Sequence, residues 1–181
     1  MSAAYGGGVA AAFGFRYQYL LTVELILELF ESGSTDWQVA VDPVGQDSAD
    51  IVVCRKSKNS PERVIQVKAS MQNSSTQMGV SDAERILDRL LSDYPNVPRR
   101  ELFTNRKMTL ELEDSLVDVT KAFGRGNYFI PRQDTPKEIT DKLLGKISSL
   151  RLNGPGGTGD ELHYLILRQL LDFVAEAGSG P

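Results

Sequence analysis

The spacing of the apolar runs constrains this 181-residue chain more than any other feature. Three short runs, Trp37–Val41, Ala49–Arg55 and Glu62–Ala69, follow one another with only turn-forming residues between them. Their length and their content of Val and Ile favour strands over helices. Pro43 and Gly45 mark the first turn, and the polar stretch Lys56–Pro61 marks the second. Strands joined this closely pair antiparallel. Beyond residue 80 the pattern changes. Ile86, Leu87, Leu90 and Leu91 make a helical stripe, and short strands at Glu101–Thr104 and Tyr128–Ile130 flank a helical segment, Leu110–Phe123. Strands separated by helices pair parallel. One chain therefore demands an α/β fold whose mixed central sheet is flanked by helices on both faces.

The remaining elements fit that plan. Phe13–Glu31 is a helix that is apolar around much of its circumference, so burial is expected, and Ser32-Gly33-Ser34 ends it. The stretch Met71–Val80, rich in Ser and Gln, is expected to be a loop. Ser81 with Glu84 has the spacing of a capping box for the next helix. Thr135 is expected to cap a helix to Leu150, with Pro136 at its first position. A final helix is expected over Glu161–Ala175. No internal repeat is present. The chain divides into a flexible arm (1–12), one domain (13–176) and a tail or linker (177–181).

Composition excludes more than it assigns. Hydrophobic residues at 41% and charged residues at 24% describe an ordinary globular domain. The single Cys54 cannot form an intrachain disulfide, which suits a reducing compartment. No signal peptide is legible, and the apolar stretch Tyr19–Phe30 carries Glu24 and Glu28 and is too short to span a bilayer. A cytoplasmic protein with no membrane partner is expected. A net charge of −4 argues against a basic coat for tight non-specific nucleic-acid binding, yet allows a local basic face. Arg55, Lys56 and Lys58 are the expected nucleic-acid contacts, with Arg63 and Lys68 nearby in sequence.

His163 is the only histidine, which excludes two-histidine metal sites; a packing or surface role is expected for it. Cys54 is expected in the core. Gly154–Glu161 resembles a phosphate-binding loop in glycine spacing. Asp160 and Glu161, however, stand where the Lys and the Ser or Thr belong, so it reads as a loop and helix cap.

The residues that carry chemistry sit on the neighbouring strands. Asp50 heads the second apolar run, and Gln66 and Lys68, two apart, leave the same face of the third. An acid facing a polar-x-Lys pair across a hairpin is what a metal-dependent phosphodiesterase needs. The acid holds the cation, and the lysine orients a water or steadies the pentavalent phosphate.

Taken in order, Gly14-Phe15-Arg16-Tyr17-Gln18, Asp50-Ile51-Val52-Val53, Gln66-Val67-Lys68 and Thr104-Asn105 resemble the nuclease domains of the PD-(D/E)xK superfamily. The likeness is to the N-terminal endonuclease domains of bacterial antiphage effectors, linked to a SAVED cyclic-oligonucleotide sensor or a STAND-type NTPase. It covers residues 13–105, and its fold is restriction-endonuclease-like. The chain departs from the superfamily pattern in carrying Gln66 where an acid is usual, which leaves fewer charges for a metal.

The resemblance implies a largely sequence-tolerant endonuclease acting on double-stranded DNA. It also implies Mg²⁺ as cofactor, with Mn²⁺ as a substitute, activation by homo-oligomerisation, and a C-terminal sensor or NTPase partner. Asp50, Gln66 and Lys68 are its expected catalytic residues, and Asp50, Gln66, Asp42 and Glu24 its expected metal ligands. Tyr17 and Gln18 are expected to orient a ligand by packing and hydrogen bonding. Gly14 is the expected point of close helix–sheet approach, and Asp47 is expected in solvent. Two other readings share these residues: a nuclease-fold interaction module that has lost catalysis, and an RNA nuclease.

Overall fold

The structure is a computed structural model and describes residues 6–43, 48–58, 60–71, 77–116, 124, 126–150 and 159–178. The three apolar runs form β1 (Trp37–Val41), β2 (Ile51–Arg55) and β3 (Ser60–Lys68). They pair antiparallel in succession, with a bulge in the β2–β3 ladder between Val53 and Cys54. The crossover through α2 (Val80–Asp93) then sets β4 (Arg99–Thr104) parallel to β3. The next crossover, which includes α3 (Leu110–Ser115), sets β5 (Asn127–Pro131) parallel to β4. The result is the expected α/β architecture, a five-stranded mixed sheet in the order β1-β2-β3-β4-β5.

Side-chain alternation divides the core into two layers. One face of the sheet presents Val41, Ile51, Val53, Ile65, Val67 and Phe103 to α1 (Gly6–Glu31), α4 (Pro136–Ser149) and α5 (Gly159–Gly178). Helix α1 is buried through Leu20, Leu21, Val23, Leu25 and Leu27, because the sheet covers one side of it and α4 and α5 cover others. The opposite face presents Val52, Val64, Leu102 and Phe129 to α2 and α3. Helix α2 is amphipathic and buries a single stripe, Ala83, Leu87 and Leu90.

Several boundaries differ from expectation. Helix α1 starts at Gly6, so residues 6–12 continue the helix, with 8–12 on its exposed outer length. The capping box expected at Ser81 is not formed. The helix begins a residue earlier, after Gly79, with no side-chain cap. The cause is tertiary: Met78 donates its backbone N–H to Lys107 and accepts from Thr109, so the entry to α2 is pinned to the loop after β4. At α4 the expected cap is complete, with Thr135 and Glu138 exchanging hydrogen bonds and Pro136 in the first turn. The C-terminal part of the helix expected to reach Phe123, Asp47, and the loop Gly154–Thr158 lie outside the described residues.

Gly126 is a position where glycine is required. Its φ is +75°, and a Cβ there would lie 2.3 Å from the Pro98 carbonyl oxygen. Gly126→Ala is therefore expected to destabilise the fold by about 2–4 kcal/mol, combining left-handed backbone strain with a clash the chain must move to relieve. The shift in urea midpoint checks this.

Among the described residues, no helix is long and apolar enough to cross a membrane.

Candidate active site

The site grows from the way β1 and β2 are paired. The ladder continues past their assigned ends, for Asp42 donates its backbone N–H to the Asp50 carbonyl at 2.8 Å, and Asp50 donates to the Ile65 carbonyl at 2.8 Å. Since Val41 faces Ile51 and Ile51 faces Ile65, this extension puts Asp42, Asp50 and Gln66 side by side. Asp42 turns away with φ of 44°, a left-handed conformation that Asp tolerates better than most residues.

Hydrogen bonds fix the carboxylates. Asp50 Oδ2 accepts from the Val67 backbone N–H at 2.6 Å and from Gln66 Nε2. Asp42 Oδ1 accepts from Gln18 Nε2 at 2.9 Å, which ties α1 to the strand ends. The expected orienting role of Gln18 thus has a physical form. Gln66 and the Val67 amide both donate to the same carboxylate oxygen of Asp50, Oδ2, and hold it in place. Ala11, Gly14, Phe15 and Gln18 of α1, with Asp50, Val67, Lys68 and Ala69, line an open depression. Gly14 is part of its wall, and a Cβ there would meet nothing within 4 Å, so close helix–sheet approach is not its role.

Lys68 is half-buried at the end of β3. Its strand end is latched to β4: Thr104 Oγ1 donates to the Lys68 carbonyl at 2.7 Å. Asn105 then exchanges hydrogen bonds with the Ser70 backbone at 2.8 and 3.0 Å. The pair Thr104-Asn105 therefore holds the lysine's backbone in place. No local sequence signal gives that role, because it depends on the parallel β3–β4 register.

Burial raises the pKa of Asp50 above the ordinary carboxylate value, and the nearby Asp42 charge adds to the rise. The Val67 amide, the Lys68 charge and Gln66 oppose it. Burial lowers the pKa of Lys68; Asp50 opposes that, while Arg106, Arg89 and Arg85 reinforce it. Each member of the pair makes the other's charge tolerable, and neither is fully compensated for its loss of water.

Other expected site residues lie elsewhere. Glu24 is gripped by Arg132 Nη2 at 3.0 and 2.8 Å, in a network with Asp134 and Lys142. Tyr17 is fully buried beside that same network, and burial pushes its pKa up to about 12. Arg55, Lys56 and Lys58 lie at the opposite end of the β2–β3 hairpin, where Arg55 pairs with Ser60 in the ladder. From Ser60 to Lys68 is about 26 Å at roughly 3.3 Å per residue. Arg55 pairs with Glu62 at 2.8 Å and stacks over Trp37, Lys58 reaches Glu62 at 3.5 Å, and Lys56 donates to the Thr35 carbonyl. His163 is buried beside Leu144 and Ser148, its Nε2 without a partner among the described residues.

Whether these residues suit Mg²⁺ can be judged from the donors. Among the described residues, no three His, Cys, Asp or Glu side chains converge as ligands. Mg²⁺ is commonly held by one or two carboxylates, with waters and substrate phosphates completing its shell. Asp50 and Asp42, adjacent and oriented by Val67, Gln66 and Gln18, meet that lower requirement.

No family model matches this chain, and no curated protein does. Among solved structures, it is similar to a Cap4 SAVED/CARF-domain containing receptor from Moraxella osloensis, with TM-score 0.62 and 16% identity over 93% of this chain. The chain spans 44% of that receptor's length. At this identity the likeness is one of fold. A protein of unknown function, AF1548, aligns over 88% of this chain and 96% of its own, with 14% identity and TM-score 0.39.

Proposed function

We propose that this chain is a metal-dependent endonuclease domain that cuts double-stranded DNA in bacterial antiphage defence. The observation that carries the reading is the Asp50 carboxylate, fixed by Val67 and Gln66, with the desolvated Lys68 beside it in an open depression. Asp50 and Lys68 both line a depression open to the surface, which a phosphodiester could reach. The fold likeness to a SAVED/CARF-domain containing receptor supports the defence context and a sensor partner.

When bound, Mg²⁺ would supply Lewis-acid polarisation of the phosphate and acidify a coordinated water. Asp50 and Asp42 would hold it. Gln66, with the Val67 amide, sets the rotamer of Asp50, and Gln18 sets that of Asp42. Lys68 presents its ammonium to the scissile phosphate and stabilises the charge that builds on its oxygens. Oligomerisation would bring a second site to the second strand.

One observation favours the alternative of a non-catalytic module. The site has two acids where a third ligand would strengthen it, and Gln66 spends an amide donor on Asp50. Supercoiled plasmid incubated with the protein in Mg²⁺ and in EDTA separates the two. The expected result is nicking that needs Mg²⁺. No nicking at micromolar protein, with the oligomer assembled, would favour the inert module.

A further inference from the structure

Basic residues other than those expected from sequence lie near the site. Arg85 and Arg89 stand four residues apart on α2, away from its buried stripe of Ala83, Leu87 and Leu90, with side chains 74% and 62% exposed. Arg106 follows Thr104 and Asn105, the residues that latch the Lys68 end of β3. Its backbone N–H bonds Thr104 Oγ1 at 3.1 Å, and its buried Nε has no hydrogen-bond partner among the described residues. Two elements, the helix that follows β3 and the loop that follows β4, thus bring three guanidinium groups to the neighbourhood of Lys68. Crevices at the C-terminal ends of parallel strands are where α/β sheets bind ligands.

We propose that Arg85, Arg89 and Arg106 form the phosphate-contacting surface that seats a DNA duplex over the Asp50–Lys68 site. The proposal rests on the nuclease reading above and names the face it uses. The spacing fits. Four helical residues rise about 6 Å, close to the roughly 7 Å of duplex axis that two base-pair steps of about 3.4 Å span. Helix α2 also carries four acids, Asp82, Glu84, Asp88 and Asp93, so a duplex must engage the two arginines past them. Arg85 meets Asp82 at 3.0 Å and Arg89 meets Asp93 at 4.0 Å, but exposed pairs of this kind are weak and exchange readily for phosphate. Helix α2 packs on Val64 and Leu102, the sheet face that by alternation also carries Gln66 and Lys68, and Arg106 bonds the same Thr104 hydroxyl that holds the Lys68 carbonyl. Arg55 and Lys58, by contrast, share Glu62 at the far end of β3.

The test is binding of a fluorescent 20-base-pair duplex in EDTA, read by anisotropy at several salt concentrations, with cleavage in Mg²⁺ followed separately. The R85Q/R89Q/R106Q variant is expected to lose at least tenfold in affinity. Its slope of log affinity against log salt should fall by about 2–3, near 0.9 per lost contact. The double variant R85Q/R89Q, altered only at exposed positions, should lose about two-thirds of that slope and serves if the triple variant misfolds. Lys137→Gln with Arg168→Gln should bind like wild type. Three results overturn the proposal: unchanged affinity and slope in both arginine variants, loss in R55Q/K58Q instead, or no duplex binding by wild type. Wild-type cleavage with unchanged arginine variants would sink this surface and keep the nuclease. Arginine-dependent binding without cleavage would do the reverse.

Discussion

Replacing Lys68 by Ala is expected to reduce plasmid cleavage at least about a hundredfold, the scale typical of losing one transition-state donor. The fold should be spared, and the physical reason lies in desolvation. Burial holds the Lys68 pKa below its ordinary value, so its charge is disfavoured in the folded state. A lysine depressed in this way contributes stability above the unfolded lysine pKa and loses it as pH falls through the folded value. At neutral pH the wild-type protein therefore carries the charge at a cost. Lys68→Met, which keeps the apolar stem, should melt at or above the wild-type temperature while remaining inactive. Lost activity with a substantially lower melting temperature in both variants would make Lys68 structural.

Asp50→Asn should give a complementary signature. Cleavage should fall by two orders of magnitude or more, and the metal-free variant should melt above wild type. The sign follows from burial, which raises the Asp50 pKa. A carboxyl raised in the fold adds stability below its unfolded pKa, and that stability is lost as pH rises through the folded value. In EDTA at neutral pH the ionised carboxylate is thus a liability that Asn removes. Mg²⁺ should raise the melting temperature of wild type and leave that of Asp50→Asn unmoved. Equal Mg²⁺ stabilisation of both proteins would detach Asp50 from metal binding.

Much of the fold could be read from the chain because short strands announce themselves locally. The hairpin turns after Val41 and Arg55, and the helices beyond residue 80, decided antiparallel against parallel pairing. Thr135, Pro136 and Glu138 formed the expected cap because all its partners lie within four residues. Ser81 and Glu84 had the same spacing and failed, because the Met78–Met108 bridge set the helix start from outside. The Gly- and Ala-rich start of α1 carries no apolar stripe, so periodicity could not extend the helix back to Gly6.

The candidate site was legible where strand pairing alone defines it, as in Asp42, Asp50 and Gln66. Residues on helices were harder. Glu24 comes six residues after Gln18, roughly 600° around the helix at about 100° each, so the two cannot serve one point. Sequence does not show which of them faces the strand ends. The arginines near Lys68 were hidden for another reason. Asp82, Glu84, Asp88 and Asp93 interleave with Arg85 and Arg89, so α2 looks like a mixed solvated face. Arg106 reaches the site only through the β3–β4 register.

The backbone at Asp42 limits how this position can evolve. A φ of 44° is open to Gly and accessible to Asn and Asp, while longer and β-branched side chains meet their own carbonyl. A lineage that relaxed its demand for a metal ligand should therefore drift to Asn or Gly here. One that kept the demand could not upgrade to Glu without rebuilding the end of β1. On the metal-site reading, position 42 is then a compact marker: Asp would accompany retained metal chemistry, and Asn or Gly a scaffold kept for other uses.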